Sequence, residues 1–218
     1  MFCTFNLEKN VKNDFFRKVV KYFFLEIKNF KAEKPCPHCV LEEFNVDKIE
    51  DFMYNINTMS DRKLKVYLDT SVVSYLQQED VPDRMADTLK LWKKFMTGCY
   101  DIYLSSMTTY EIDNCSESKK NFLHSKLDEI EYTELEIDKD CLSLARDIIA
   151  TGILTEKSFE DSQHIAVAVL NECDVIVSWN FKHLVNIKTI KGIRKITQLK
   201  GYKDIEIITP TTLLEMEV

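Results

Sequence analysis

Short apolar runs alternate with longer segments of helical periodicity along most of the chain. The strand-like runs are rich in β-branched and aromatic residues, whereas apolar residues recur every three or four positions in the helical segments. The predicted strands are residues 64–68, 101–104, 174–178 and 204–209, and the predicted helices are residues 83–97, 106–115, 118–130, 138–151 and 158–172. Short strands separated by helices predict a mostly parallel central sheet with helices on both faces, a three-layer α/β/α fold.

The first 58 residues differ in composition from the rest of the chain. They hold nine of the thirteen phenylalanines and none of the four glycines, which predicts a boundary near Met59. Apolar residues at helical spacing predict an amphipathic helix over 16–27, and a second short helix is predicted at 46–56. We therefore expect a helical extension over 1–58 and an α/β domain over 59–218. The uncovered apolar face predicts packing on that domain or a homodimer. A further interpretation is that translation starts at Met59.

The charge balance limits how the chain can meet a polyanion. It has 36 acidic and 29 basic residues and a formal net charge of −7, which argues against coating nucleic acid by bulk positive charge. The aromatic stretch at residues 22–25 is interrupted by charges too often for a signal peptide or a membrane span. We expect a cytoplasmic protein that does not act at a membrane.

The cysteines show no disulfide framework. Seven are scattered along the chain, so we expect reduced thiols. Cys36 and Cys39, with His38 between them, resemble half a zinc site, because thiolate and imidazole are zinc ligands. A closed tetrahedral site needs a second pair, and none lies nearby in the sequence. A proline-stiffened turn with two free thiols is therefore favoured over zinc at this position.

Three acidic residues are expected to meet at one edge of the sheet. Asp69 directly follows the first predicted strand, Glu111 lies in the helix after the second, and Asp161 lies near the start of the helix at 158–172. Taken singly, the two aspartates have an ordinary interpretation as helix caps, and Glu111 as a partner of the helix dipole. Three strand-to-helix junctions that each deliver one acid to the carboxyl edge of a parallel sheet predict a single acidic cleft.

Such a cleft favours metal chemistry. Carboxylate oxygens are the ligands that Mg²⁺ and Mn²⁺ prefer, and three clustered acids repel each other unless a cation is present. We therefore predict one or two Mg²⁺ or Mn²⁺ ions held by Asp69, Glu111 and Asp161. A metal in this position lowers the pKa of a water molecule and stabilises a departing oxygen, which predicts hydrolysis of a nucleic-acid backbone.

These residues resemble the motifs of the PIN-domain family. The matching segments are residues 66–71, 105–111, 161–168 and 173–183, within a resemblance that spans 64–213. The resemblance implies a PIN-like α/β/α fold and a Mg²⁺- or Mn²⁺-dependent endoribonuclease that hydrolyses RNA phosphodiester bonds. Likeness to the VapC-type toxins further implies the toxin of a toxin–antitoxin pair, with an antitoxin protein as partner. A second interpretation is a non-cleaving PIN-like module with a degenerate metal site, which binds RNA or a protein.

The sequence departs from the family at the fourth metal-binding position. Asn180 offers a carbonyl oxygen to a metal but brings no charge, and His183 stands where family members frequently carry an acid. We therefore expect weaker binding of a second metal ion. The hydroxyl groups of Thr70, Ser71 and Ser178 are predicted to orient the substrate.

A basic stretch follows the strand that ends at Ser178. Seven Lys or Arg and no Asp or Glu lie between Lys182 and Lys203, and their position predicts contacts with RNA phosphates beside the cleft. The alternative is a solvated helix face. The predicted RNA-binding residues are Lys182, Lys188, Lys191, Arg194 and Lys195. His164 is expected to be a buried, hydrogen-bonded histidine rather than a general base.

Overall fold

Five short strands, rich in β-branched and aromatic residues, form the central sheet of the described domain. A computed structural model describes residues 62–216; the predicted extension over 1–58, both of its helices and the Cys36 and Cys39 pair lie outside the described residues. The strands are β1 (Lys65–Leu68), β2 (Asp101–Ser105), β3 (Tyr132–Leu135), β4 (Val175–Val177) and β5 (Glu206–Ile208). All pairings are parallel, and the order is β3-β2-β1-β4-β5.

Eight α-helices of the described chain connect the strands. They are α1 (Thr70–Ser74), α2 (Pro82–Met96), α3 (Ser106–Asp113), α4 (Glu117–Leu127), α5 (Lys139–Ala150), α6 (Phe159–Leu170), α7 (Ile187–Lys200) and α8 (Pro210–Glu215). Two 3₁₀ helices, Tyr75–Gln77 and Glu156–Ser158, lie between them. The predicted three-layer α/β/α fold with a mostly parallel sheet is confirmed.

The sheet is buried on both faces because alternate side chains of a strand point in opposite directions. Val66 and Leu68 pack into a core with α1, α2, α4 and α8, whereas Tyr67 packs into a second core with α5, α6 and α7. Ile176 of β4 joins the core of Tyr67, and its neighbours Val175 and Val177 join the other. Strands β1 and β4 are thus buried between the helical layers, which defines where their carboxyl ends lie.

Asp174 ties the amino ends of two adjacent strands together. Its carboxylate accepts a hydrogen bond from the Lys65 backbone N–H at 2.8 Å, forms an ion pair with Arg62 at 2.7 Å and contacts the Lys203 ammonium. Burial opposes ionisation of Asp174, but these donors outweigh it and lower its pKa. Asp174 therefore acts at the edge of the sheet opposite the cleft, in keeping with its position before β4.

Side-chain capping helps to define the bounds of α7, which was not predicted as a helix. Asn186 accepts a hydrogen bond from the backbone N–H of Thr189 at 3.0 Å, and Gly201 ends the helix with a left-handed φ of 72°. Among residues 62–216, no helix is long and apolar enough to cross a membrane.

Candidate functional site

The candidate site lies where the order of strands reverses. From β1, the chain reaches β2 on one side and β4 on the other, so a crevice opens beyond the carboxyl ends of β1 and β4. The two loops at this edge are joined by hydrogen bonds: Asp69 N–H donates to the Val177 carbonyl at 3.1 Å, and Trp179 N–H donates to Ser71 Oγ at 2.9 Å. These hydrogen bonds hold together the two loops that carry Asp69 and Asn180.

Asp69 is buried at the start of this crevice, with 5% of its surface exposed. Its Oδ2 accepts hydrogen bonds from the hydroxyl groups of Ser71 at 2.5 Å and Ser178 at 2.7 Å. Asp69 occupies the N-cap position of α1, but its side chain accepts no capping hydrogen bond from that helix. The two serines therefore hold this carboxylate, and helix capping does not account for it.

His164 lies between two of the predicted ligands. Its Nε2 is 3.8 Å from Asp69 Oδ1 and 3.6 Å from Glu111 Oε1, and its Nδ1 is 2.6 Å from the Tyr67 hydroxyl. Burial opposes protonation of His164, but Glu111 and Asp69 outweigh it and raise its pKa. Burial likewise opposes ionisation of Glu111, yet His164 and Thr70 lower its pKa. The buried, hydrogen-bonded histidine expected from the sequence is present.

Asp161 reaches the crevice from the first turn of α6. This helix follows a 3₁₀ helix rather than a strand, so the expected strand-to-helix junction is wrong here. Burial raises the pKa of Asp161, and the charge of Asp69 adds to the rise, while His183 and the Asn180 hydrogen bond oppose it. Asp161 and Asp69 line the same cavity, so the charge of Asp69 disfavours ionisation of Asp161.

Asn180 is oriented differently from the prediction. Its Nδ2 donates to Asp161 Oδ1 at 2.6 Å, and its Oδ1 accepts the backbone N–H of His183 at 3.0 Å. The carbonyl oxygen predicted to face a metal is thus already bonded to the backbone, and the amide nitrogen faces the acid. Asn180 contacts Asp161 in this structure, and its expected role as a metal ligand stays a prediction.

One cavity of about 430 Å³ brings these side chains together. Its lining residues are Asp69, Thr70, Ser71, Ser74, Tyr75, Glu111, Lys157, Glu160, Asp161, His164, Trp179 and Asn180. Within residues 62–216, however, no three acidic, His or Cys side chains form a compact group around one point that could hold an ion. Four carboxylates of the described chain therefore line one cavity, but they do not form a closed coordination shell.

Lys157 and Glu160 were not predicted as site residues. Lys157 lies in the 3₁₀ helix directly before α6, and Glu160 precedes Asp161. Their closeness to Asp161 in sequence was the signal that could have identified them. Lys157 is the one Lys or Arg of the cavity lining in the described chain, so it offers a cation among the four carboxylates.

The basic stretch does not line this cavity. Because β4 and β5 are parallel, α7 must run back from the carboxyl edge to the amino edge of the sheet. Arg194 pairs with Glu206 at 2.6 Å, at the start of β5, and with Asp204 at 3.4 Å. Its predicted role at the cleft is therefore corrected: Arg194 lies at the opposite edge. Lys182, Lys188, Lys191 and Lys195 are exposed outside the cavity lining, and their contact with RNA stays a prediction.

Among known proteins, similarity to this chain was found only in the backbone fold of solved structures. No family model matches the chain, and no curated protein does. A chain of the VapBC2 complex from Rickettsia felis, solved with a DNA fragment of its promoter, is similar at 15% identity and a TM-score of 0.41. A chain of the DNA-bound VapBC complex from Salmonella typhimurium is similar at 15% identity and a TM-score of 0.44. Each match covers 67% of this chain and 98% of the other. Chains of VapBC complexes are thus among the solved structures similar to this chain.

Proposed function

We propose that the chain is a divalent-metal-dependent endoribonuclease that hydrolyses RNA phosphodiester bonds. The observation that carries this proposal is the cavity at the strand-order reversal, which is lined by Asp69, Glu111 and Asp161 from three separate elements. Three acids at such an edge are a costly arrangement unless a cation balances them. The resemblance of the same residues to PIN-domain motifs supports RNA as the substrate.

The donor set fits Mg²⁺ or Mn²⁺. All predicted ligands offer hard oxygen atoms, and Mg²⁺ commonly takes one or two carboxylates while it keeps several waters. Acids that line one cavity without a compact cluster are compatible with such a partly hydrated ion. Burial, and to a smaller extent the charge of Asp69, raises the pKa of Asp161, and a cation beside Asp161 would favour its ionised form. Asp69 and Asp161 are therefore the residues that we expect to hold the ion, with Glu111 beside them.

The side chains of the cavity would have different roles in catalysis. A bound Mg²⁺ or Mn²⁺ would supply an activated water and stabilise the departing oxygen. Ser71 and Ser178 keep the Asp69 carboxylate in one orientation, and Asn180 does the same for Asp161. Lys157 is placed to contact a phosphate that the carboxylates would otherwise repel.

The direct test is cleavage of a labelled RNA by the purified full chain in Mg²⁺ or Mn²⁺. We expect wild type to cut and Asp69→Asn and Asp161→Asn to lose cleavage while they keep the fold. Asp147→Asn is the matched control, because Asp147 is partly exposed, lies outside the cavity lining and pairs with Lys200 at 2.6 Å. The proposal fails if wild type cuts no RNA in either metal, or if both site variants cut as wild type does.

An antitoxin partner, and with it the role of a toxin, belong to the same proposal. Their support is the resemblance to the VapC-type toxins. A protein that covers the acidic cavity would block RNA, so we expect a true antitoxin to co-purify with the chain and to inhibit cleavage. A co-purified protein that leaves cleavage unchanged is not one.

A non-cleaving module is the second candidate, and two observations favour it. His164 lies between Asp69 and Glu111, where a protonated imidazole would balance their charge without a metal. Asn180 places an uncharged amide against Asp161. RNA affinity that is unchanged by a chelator, without turnover in any metal, would be its signature.

A further inference from the structure

An aromatic group borders the acidic cavity on the side of β4. The rings of Tyr75 and Trp179 are stacked, with centroids 5.6 Å apart and an interplanar angle of 27°. Phe181 continues the group at 6.1 Å from Trp179. Tyr75 and Trp179 also line the cavity itself. The apolar rings and the carboxylates are therefore neighbouring parts of the same surface.

The group is held in place from within the fold. Trp179 is 6% exposed, and its Nε1 donates to the buried hydroxyl of Thr88 at 2.8 Å. Trp179 and Phe181 flank Asn180 in sequence, and Asn180 donates to Asp161. Asn180 therefore links the two rings beside it in sequence to Asp161, an acid of the cavity.

Phe181, a member of this aromatic group, is exposed to solvent and lies beside the positive charge of Arg84. Phe181 is 43% exposed, which is a large apolar exposure beside a polar cavity. The guanidinium of Arg84 lies 4.7 Å from the Phe181 ring centroid and 5.7 Å from that of Trp179, and it donates to the Tyr75 hydroxyl at 3.3 Å. Among residues 62–216, no carboxylate pairs with Arg84. An exposed ring and a planar cation that pairs with no carboxylate of the described chain thus lie together, beside the cavity-lining residues Tyr75 and Trp179.

We propose that Arg84 and Phe181, supported by Tyr75 and Trp179, form a stacking subsite for an unpaired nucleobase adjacent to the phosphate held at the acids. Aromatic rings and guanidinium planes stack on bases that are free of a duplex, and a cation next to them attracts the backbone. The inference rests on the proposed ribonuclease function and specifies its substrate: single-stranded RNA, or an unpaired loop, in preference to a continuous duplex.

The test measures binding and cleavage separately. Fluorescence anisotropy of labelled single-stranded RNAs in excess chelator reports binding by the full chain without metal-dependent cleavage. A matched set of RNAs carries one abasic nucleotide at successive positions. We expect Phe181→Ala to weaken binding of intact RNA by roughly 5- to 150-fold, the usual range for the loss of one base stack. Arg84→Lys, which keeps the charge but loses the planar face, should also weaken it.

The controls separate stacking from general effects. Tyr202→Ala removes another partly exposed aromatic, outside the cavity lining, and should bind RNA as wild type does. One abasic position should reproduce the loss seen in Phe181→Ala and should add little to that variant, because both remove the same contact.

Each result decides the proposal. Equal affinity of wild type and Phe181→Ala, an equal loss for every abasic position, or no RNA binding by wild type would overturn the subsite. The first of these outcomes would point to a protein partner for the exposed ring. A loss of binding at one abasic position, with no cleavage in Mg²⁺ or Mn²⁺, would support the stacking subsite and reject the ribonuclease function. Cleavage that is unaffected by Phe181→Ala would support the ribonuclease function and reject the subsite.

Discussion

Replacing Ser178 with alanine removes a hydroxyl group that holds Asp69 in place. The Ser178 hydroxyl donates to Asp69 Oδ2 at 2.7 Å and accepts the backbone N–H of Asn180 at 2.8 Å. Ser178 is fully buried, so water cannot easily replace either contact. The substitution therefore leaves a buried carboxylate with one fewer donor and a backbone N–H without its acceptor.

The two lost contacts set the size of the effect. A hydrogen bond to a charged group contributes about 1.5–3 kcal/mol, and an unsatisfied buried N–H costs about 1–3 kcal/mol. Since Ser71 still donates to Asp69, we expect the lower part of the sum, a loss of about 2.5–4 kcal/mol in the free energy of unfolding. In an Asp69→Asn background the carboxylate charge is gone, so Ser178→Ala should cost at least about 1 kcal/mol less.

Urea denaturation followed by tryptophan fluorescence measures this loss in the α/β domain, because both tryptophans, Trp92 and Trp179, are buried there. Ser162→Ala is the matched control: Ser162 is also fully buried, but its hydroxyl donates to the helix carbonyl of Phe159 at 2.6 Å. We expect this control to cost under about 1 kcal/mol. Equal losses in the two variants would refute the role assigned to Ser178.

Three further changes probe the cavity and the frame around it. Lys157→Gln should weaken RNA binding and reduce the salt dependence of binding by about one phosphate contact; an unchanged salt slope would remove Lys157 from the RNA interface. Asp174→Asn should lower stability by about 1–2 kcal/mol at neutral pH, since its charged partners are partly exposed. The pKa of Asp174 is lowered on folding, so its contribution is present above the unfolded pKa of about 3.9 and is lost as the pH falls through the folded one. A deficit that persists in acid would contradict this. Gly192→Ala should destabilise α7 by about 1–3 kcal/mol, because the new Cβ would lie 2.5 Å from Ile153 Cγ1, and Ile153→Ala should remove that penalty; a neutral Gly192→Ala would show that Ile153 moves freely.

Much of the sheet was predictable from local sequence, and the exceptions have a physical reason. Val66 to Leu68 and Val175 to Val177 are continuous apolar runs, as expected of strands buried on both faces. Strand β3, Tyr132–Leu135, was not predicted because its first three residues are exposed and give no apolar alternation. The sequence of α7 predicts a basic stretch rather than a helix, because its Lys and Arg residues mask the helical spacing of Ile193 and Ile196.

The positions of Asp69 and Glu111 were predictable for the same reason that the sheet was, whereas Asp161 follows a 3₁₀ helix rather than a strand. Asp69 follows a clear strand, and the edge on which it lies follows from parallel topology. The orientation of Asn180 was not predictable, because it depends on Asp161 and on the backbone of His183, which belong to different elements. Lys157 was missed because its closeness to Asp161 is its one sequence signal, and only the fold shows that the 3₁₀ helix before α6 reaches the cavity.

Calorimetric titration of the metal-free chain with Mn²⁺ addresses the metal site without reference to any RNA. Wild type should bind at least one ion, and Asp69→Asn and Asp161→Asn should each weaken that binding by about tenfold or more, since each removes a charged oxygen ligand. Asp147→Asn should titrate as wild type does. If wild type takes up no Mn²⁺, or if the two site variants bind it as tightly as wild type, the acids of this cavity do not form a metal site.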